Sequence, residues 1–297
     1  MDNESRRSSY AISLALALIG CALVNLPIAL GRADNHRVDL ELIIAVDVSF
    51  SISEGEQDIQ RRGYANAFSS GELVQAVTSG PHGRIAVIYF EWAGPDAQYR
   101  IVPWTVIDGP GSANDFAARL RKAPIRRGGE TSIAQALLTA SSFFPFSASP
   151  YTRRVIDISG DGPNNSGGRV EEARRSVLAK GITINGLPLI KGAGAPGADV
   201  DMARYYKDCV IGGPGAFSLP VSSWQEFERT LTRKLVTEVA GARAGPGRVI
   251  LAAAEEKADC LAGEKSEREN YLKQLDDLTN GKSQRWRPRE QDWPTPK

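Results

Sequence analysis

The stretch IIAVDVSFSIS, residues 43–53, decides the fold and supplies the first candidate site residues. Four apolar residues lead into Asp47, and Ser49 and Ser51 follow at alternate positions. A continuous apolar run of this kind is typical of a strand that is buried on both faces of a parallel sheet. A carboxylate and two spaced hydroxyls contribute little to packing at the end of such a strand, so they indicate a binding site. The alternative is that Asp47 caps a helix and Ser51 lies in a turn.

Strand and helix patterns alternate along the chain around this stretch. Strands are predicted at residues 38–49, 84–94, 99–107, 153–162, 182–190 and 216–221. Helices are predicted at residues 53–80, 112–123, 131–144, 169–181, 199–210 and 222–240. Because strands that alternate with helices form parallel sheets covered on both faces, the sequence predicts a doubly wound α/β fold with a mostly parallel sheet. The short loop between the second and third strands predicts an antiparallel hairpin.

Residues at the helix ends support these boundaries. Ser53 and Glu56 have the spacing of a capping box, in which each side chain bonds the backbone N–H of the other residue. Ser112 is predicted to be the N-cap of the helix that follows the hairpin. Gly181 is predicted to close the helix before it in a left-handed conformation.

Polar residues lie at the predicted carboxyl ends of these strands, where open α/β sheets bind ligands. The candidate set has two carboxylates and three hydroxyls: Asp47, Ser49, Ser51, Thr131 and Asp161. Thr131 follows a Gly-Gly-Glu sequence at the start of a helix, and Asp161 ends a strand. All five offer hard oxygen ligands, which suit an octahedral Mg²⁺ with water in its remaining positions. We expect one of these positions to stay open.

Three loops resemble those of the von Willebrand factor A (vWA) domain, and the likeness extends over residues 37–242. DVSFS matches the Asp-x-Ser-x-Ser signature of that domain, GGET resembles its threonine loop, and SGDGPNN resembles its aspartate loop. The resemblance implies a metal-ion-dependent adhesion site (MIDAS) that holds Mg²⁺, Mn²⁺ or Ca²⁺. Ser49, Ser51 and Thr131 match the hydroxyl ligands. Asp47 and Asp161 match the carboxylates that hold the ion largely through water, and an Asp or Glu of a partner protein takes the open position.

A narrower resemblance is to an uncharacterised bacterial family of exported proteins built on this domain. It is carried by VDLELIIAVDVSFSIS (38–53) and DCVIGGPGAF (208–217). The chain departs from the vWA pattern at two positions. Phe50 stands where a small residue is common, and Glu130 adds a charge beside Thr131.

Residues 1–33 have the features of a secretory signal peptide. Two arginines precede an apolar run, and small residues precede the predicted cleavage site between Ala33 and Asp34. The alternatives are lipidation at Cys21 or retention of the apolar run as a membrane anchor. In each case the main domain is exported. We therefore expect a periplasmic or secreted protein that contacts a membrane only if this segment is retained or lipidated.

The sequence beyond the vWA-like region predicts a helical extension (243–280) and a disordered tail (281–297). Removal of the signal peptide leaves Cys209 and Cys260, which could pair in an oxidising compartment. The alternative is that Cys209 is a plain core residue, and its apolar neighbours favour this slightly.

The composition, and the catalytic motifs that the sequence lacks, exclude several classes of function. The formal net charge of +1, with Lys and Arg spread along 297 residues, does not indicate a nucleic-acid-binding surface. The histidines are His36 and His82, and the sequence has neither a G-x-S-x-G elbow nor a G-x-x-x-x-G-K-[ST] loop. An aspartyl phosphatase usually has a second carboxylate two residues after its nucleophile, where this chain has Ser49. We therefore expect an exported, metal-dependent protein-binding module and no enzyme. The alternative is a metal-dependent hydrolase that uses Asp47.

Overall fold

The computed structural model describes residues 37–146, 149, 152–192, 199–241 and 257–279, which contain one five-stranded sheet and eight α-helices. The strands are β1 (Leu40–Asp47), β2 (Ile85–Trp92), β3 (Gln98–Ile107), β4 (Arg153–Gly160) and β5 (Thr183–Pro188). The helices are α1 (Glu54–Ser69), α2 (Gly71–Thr78), α3 (Pro110–Lys122), α4 (Ile133–Ser142), α5 (Val170–Leu178), α6 (Met202–Tyr205), α7 (Trp224–Ala240) and α8 (Ala262–Thr279). The predicted signal peptide, the first part of the predicted extension and the predicted tail lie outside the described residues.

The sheet confirms the predicted doubly wound α/β fold. Its strand order is β3-β2-β1-β4-β5, with β1 at the centre. The strands run parallel except β3, which pairs antiparallel with β2 as the short loop between them predicts. Every residue of β1 is buried, which explains its continuous apolar sequence. The chain passes from β1 to β2 on one side and reaches β4 on the other, so the carboxyl ends of β1 and β4 flank a topological switch point.

Alternate residues of β1 supply two hydrophobic layers. Leu42 and Ile44 belong to the core between the sheet and helices α1, α2, α3 and α7. Ile43 and Ala45 belong to the core between the other face and helices α4, α5 and α6. Helices thus cover both faces of the central strands, and the candidate site residues lie at one end of the sheet.

Two helix starts differ from the sequence predictions. The predicted helix 53–80 is two helices, because Ser70 has an extended backbone that ends α1 and a hydroxyl that caps α2. The capping box that begins α1 at Ser53 is confirmed. Helix α3 begins at Pro110, whose fixed φ suits the first helical position, so the prediction of Ser112 as N-cap is wrong.

The segment around β5 is less regular than predicted. Ser218 and Val221 make isolated bridges to Gly186 and Leu189, and residues 216–221, which Pro220 interrupts, do not form the predicted strand. The predicted helix 199–210 is α6 followed by a π-helical turn (Tyr206–Val210). Gly181 has φ 71°, the left-handed conformation that was expected. Each helix within the described ranges is too short or too polar to cross a membrane.

A buried ion-pair network attaches α7 to β4. Lys234 is 0% exposed and contacts the carboxylates of Asp157 and Glu238. Asn185 donates a hydrogen bond to Glu238 Oε1 at 3.1 Å. Burial, and then the charge of Asp157, raise the pKa of Glu238 to about 7 despite the presence of Lys234. The loss of Lys234 would therefore leave two carboxylates buried without their counter-charge.

Cys209 and Cys260 form a disulfide that joins the π-helical turn to the segment before α8. Pairing is therefore confirmed, and the interpretation of Cys209 as a plain core residue is wrong. Cys209 is nevertheless fully buried in the apolar layer, which is why its sequence neighbours favoured that interpretation. The disulfide fixes the described part of the extension, residues 257–279, to the domain.

Candidate metal centre

The loops after β1 and β4 form one hydrogen-bonded chain. Asp47 Oδ1 accepts a hydrogen bond from the backbone N–H of Ser49 at 2.7 Å. The hydroxyl oxygens of Ser49 and Ser51 lie 2.9 Å apart, and Ser51 Oγ donates to Asp161 Oδ1 at 2.7 Å. Four of the five predicted site residues are thus in contact at the switch point of the sheet.

Thr131 lies beside this chain, just before α4. Its N–H donates to Asn165 Oδ1 at 2.8 Å, and the N–H of Asn165 donates to the Thr131 carbonyl at 2.9 Å, so the two loops interlock. A Cβ built on Gly162 would lie 3.9 Å from Thr131 Oγ1, which places the hydroxyl against the loop after β4. The structure therefore brings the fifth predicted residue to the same end of the sheet. Asn165 was not predicted, although it belongs to the SGDGPNN stretch.

Asp47 is fully buried in surroundings that oppose its negative charge. Burial, and then the charge of Asp161, raise the pKa of Asp47 from 3.8 to about 8, while the hydrogen bonds from Ser49 act in the opposite direction. Asp47 Oδ2 has no hydrogen-bond partner among the described residues. A cation would supply the missing counter-charge.

Gly160, the last residue of β4, leaves space for these groups. A Cβ at this position would lie 2.9 Å from both Asp47 Oδ2 and the Tyr206 hydroxyl. Burial, and then the charges of Asp47 and Asp161, raise the pKa of Tyr206. Its hydroxyl also lacks a hydrogen-bond partner in the part of the chain that the structure describes. Two buried polar atoms therefore lie on the same side of Gly160, and only glycine permits this.

Lys191 is a site residue that the sequence reasoning missed. Its Nζ lies 2.9 Å from Asp161 Oδ2, and 16% of its side chain is exposed. It follows β5, so it reaches the same end of the sheet as Asp47 and Asp161. Its position directly after the predicted strand 182–190 was the available signal. Lys191 adds positive charge beside the candidate ligands.

The donor set fits a hard divalent cation. The five predicted residues offer only oxygen atoms, the ligands that Mg²⁺, Mn²⁺ and Ca²⁺ prefer. Over the described ranges, no group of three or more His, Cys, Asp or Glu residues could hold a metal ion. An ion at this position would therefore depend on the serine and threonine hydroxyls. The unpartnered Asp47 Oδ2 is the atom whose environment a cation would most improve.

An aromatic ring and a guanidinium form one rim of the site. Phe50 is 64% exposed, and the Arg127 guanidinium lies 5.2 Å from the centre of its ring. Arg127 also donates to the backbone oxygens of Phe50 at 3.1 Å and Ile52 at 2.8 Å. Glu130 has φ 61°, which is uncommon for a residue other than glycine, and it turns the chain into Thr131. The two departures from the vWA pattern, Phe50 and Glu130, therefore lie on the exposed surface beside the site.

A family model described as "Protein of unknown function (DUF1194)" matches residues 37–243. The chain belongs to this family. The match covers the sheet, the three site loops and helices α1 to α7, and it ends before α8. This match confirms the expectation that this DUF1194 member belongs to an uncharacterised family. No curated protein matches the sequence.

Solved structures with a similar fold share little sequence with this DUF1194 member. Proximal thread matrix protein 1 from the mussel byssus is 17% identical, with a TM-score of 0.51 over 68% of this chain and 48% of its own. A further structure of it, with a zinc-occupied MIDAS motif, has a TM-score of 0.48 at the same identity and coverage. The open pilus adhesin SpaC from Lactobacillus rhamnosus GG is 11% identical, with a TM-score of 0.50 over 68% of this chain and 30% of its own. A von Willebrand factor type A structure from Catenulispora acidiphila is 12% identical, with a TM-score of 0.44 over 69% of this chain and 43% of its own. The chain thus spans about half the length of the mussel protein, and the likeness shows the fold alone.

Proposed function

We propose that this protein is a metal-dependent protein-binding module, in which a divalent cation at the carboxyl ends of β1 and β4 captures an Asp or Glu of a partner protein. The observation that carries the proposal is the hydrogen-bonded chain from Asp47 through Ser49 and Ser51 to Asp161, together with the unpartnered Asp47 Oδ2 in the described residues. Thr131 would complete the ligand set from the neighbouring loop. Mg²⁺ is the proposed ion, and Mn²⁺ or Ca²⁺ could replace it.

Few direct charges would hold the ion, since Ser49, Ser51 and Thr131 offer neutral hydroxyls. A cation held in this way would act as a Lewis acid toward an incoming carboxylate. Lys191 supports the same role, because its ammonium group 2.9 Å from Asp161 reduces the negative charge that an approaching acidic residue meets.

The surroundings of Asp47 favour binding over catalysis. Asp47 is fully buried, and its Oδ1 accepts the N–H of Ser49, which argues against a role as a nucleophile that attacks a substrate. His82 lies at the opposite end of the sheet, where its N–H donates to Asp39 just before β1. We therefore propose no enzymatic activity. Metal-dependent turnover of p-nitrophenyl phosphate that disappears in Asp47→Asn would favour the hydrolase alternative instead.

The proposed location is the periplasm or the cell exterior. The signal-peptide features of residues 1–33 support it. The disulfide between Cys209 and Cys260 agrees with it, because structural disulfides persist mainly in oxidising compartments.

The relaxation of water protons by bound Mn²⁺ tests the proposed function. Acetate added to the Mn²⁺-loaded protein should lower the relaxation enhancement, because a carboxylate that enters the ion's coordination shell displaces water. Thr131→Val removes one proposed ligand at nearly constant shape. It should weaken Mn²⁺ binding by at least about tenfold, a loss seen even for outer-shell changes. Thr139→Val, in helix α4, is the matched control and should bind Mn²⁺ as the wild type does. Equal Mn²⁺ affinity in all three proteins would overturn the proposal.

A further inference from the structure

The described part of the C-terminal extension, residues 257–279, is anchored beside the candidate metal centre. The disulfide between Cys209 and Cys260 connects it to the π-helical turn. The N–H of Ala258 donates to Asp208 Oδ2 at 2.9 Å and adds a second attachment. The extension is therefore held against the domain before α8 begins.

The first turn of α8 contacts the loop that interlocks with Thr131. Glu264 Oε1 accepts a hydrogen bond from Asn164 Nδ2 at 2.8 Å. Gly263 is buried against the same residue, since a Cβ there would lie 2.1 Å from the Asn164 carbonyl oxygen. Asn165, the next residue, exchanges two hydrogen bonds with Thr131. The start of α8 therefore packs against the loop after β4, which in turn contacts Thr131.

A cavity of about 470 Å³ lies between α8 and the candidate ligands. Ser51, Thr131 and Lys191 line it on the side of the sheet, and Glu267 and Glu269 line it on the side of α8. A second cavity, of about 360 Å³, is also lined by Ser51 and Lys191. Because they share these two residues, the cavities adjoin beside the candidate metal centre, and the larger one, beside α8, is called the groove here.

The two sides of the larger cavity would carry opposite charges once the proposed cation is bound. On the side of the sheet, Lys191 is paired with Asp161 at 2.9 Å, and Asp199, outside α8, also lines the cavity. The positive charge on this side would therefore come from the proposed cation. Glu267 and Glu269 stand on the side of α8. Lys265 also lines this side, but it is paired with Asp259 at 2.5 Å. The wall that α8 presents to the groove is therefore acidic.

We propose that α8 is the selectivity wall of this groove, which binds a segment of a partner protein whose captured Asp or Glu stands close to a Lys or Arg. The acidic residue binds on the side of the sheet, and the basic residue faces Glu267 and Glu269 across the cavity. The inference rests on the proposed function, since the carboxylate needs the cation. Helix α8 lies beyond residues 37–243, so we expect this preference of the extension and not of the family domain.

Peptides with matched charge patterns test this inference. A set of Gly-Ser peptides of equal length, immobilised on a biosensor, would carry Asp with Lys a few residues away, Asp alone, Lys alone, or neither. In Mn²⁺, the wild type should bind the Asp-Lys peptide about threefold more tightly than the Asp peptide, the size expected for exposed ion pairs. In EDTA, the wild type should bind neither peptide.

Charge reversal on the wall supplies the decisive comparison. The double variant Glu267→Lys/Glu269→Lys should lose or invert the preference for the Asp-Lys peptide and keep its affinity for Mn²⁺ alone. Glu171→Lys/Glu172→Lys makes the same charge change on α5, outside both cavities, and should keep the preference.

Two results would contradict the inference in different ways. If the wild type binds Mn²⁺ but does not distinguish the Asp-Lys from the Asp peptide, or if both double variants keep the preference, the inference is wrong and the proposed function stands. If the wild type does not bind Mn²⁺, the proposed function is wrong, and the inference falls with it.

Discussion

Asp47→Asn should stabilise the metal-free domain at neutral pH and abolish its stabilisation by Mg²⁺. The substitution keeps the shape of the side chain and an oxygen that can accept the 2.7 Å hydrogen bond from the N–H of Ser49. It removes an ionisable group that is fully buried near Asp161, where burial and the charge of Asp161 raise its pKa. At neutral pH the Asp47 carboxyl must take up a proton on folding, which disfavours the folded state, so the neutral amide should favour it.

The size of this effect follows from the pKa of Asp47, which the metal-free fold raises from 3.8 to about 8. The folded state then holds the proton more tightly than the unfolded chain does. The associated stability is complete below the ordinary pKa and is lost as pH rises toward the raised one. Linkage lowers the free energy of unfolding by about 1.4 kcal/mol per pH unit in this window, or about 2–3 kcal/mol between pH 5 and pH 7. Glu238, whose pKa is raised to about 7, titrates in both proteins. Its contribution therefore cancels in the difference between their free energies of unfolding, which leaves the contribution of Asp47.

Urea denaturation in EDTA at pH 5 and pH 7 measures this difference. The free energy of unfolding of the wild type, relative to that of Asp47→Asn, should fall by about 2–3 kcal/mol between the two pH values. At pH 7, Mg²⁺ at about 100 times its Kd should raise the stability of the wild type by about 3 kcal/mol and leave the variant unchanged. A difference that does not depend on pH, or equal stabilisation of both proteins by Mg²⁺, would refute the reasoning.

Three further predictions concern the extension, the core and the N-terminus. Gly263→Ala should speed amide hydrogen exchange in α8 and weaken Mn²⁺ binding, because its Cβ would meet the Asn164 carbonyl. Gly55→Ala, whose Cβ has no described atom within 4 Å, should do neither. Lys234→Met should lower the free energy of unfolding by about 3–5 kcal/mol, since it leaves buried carboxylates unpaired. Arg62→Met, which breaks an exposed pair, should change it by at most about 0.5 kcal/mol, and equal urea midpoints for these two variants would argue against a buried network. Mass spectrometry of the native protein should find a chain that starts at or near Asp34, and an intact start or a lipidated Cys21 would overturn the predicted cleavage.

Much of the architecture follows from local patterns in the sequence. The apolar run before Asp47 predicts a strand buried on both faces, and β1 is the central strand. The site loops meet because the carboxyl ends of parallel strands share one end of the sheet. Predictions from local patterns were wrong where neighbouring residues favoured different boundaries for a helix or a strand. Helix α3 begins at Pro110 and not at Ser112, and Pro220 interrupts the predicted strand at 216–221.

Local patterns do not predict contacts between segments that are distant in the sequence. The pairing of Lys191 with Asp161 depends on the path of the chain after β5, and no periodicity encodes that path. The position of α8 depends on a disulfide and on the close approach of Gly263 to Asn164. The sequence shows the cysteine and the glycine, but their partners are fixed only by the fold. The selectivity wall could therefore be recognised only in three dimensions.

Anomalous scattering from a crystal soaked in Mn²⁺ tests the central claim most directly, because it locates the ion without reference to function. We predict one strong peak at the carboxyl ends of β1 and β4. It should lie about 2.1 Å, the usual Mg–O distance, from the hydroxyl oxygens of Ser49, Ser51 and Thr131, with Asp47 and Asp161 close by. Soaking crystals of Asp47→Asn in the same solution should give no peak there. A peak elsewhere on the domain, or none at saturating Mn²⁺, would contradict the assignment of these five residues as a metal centre.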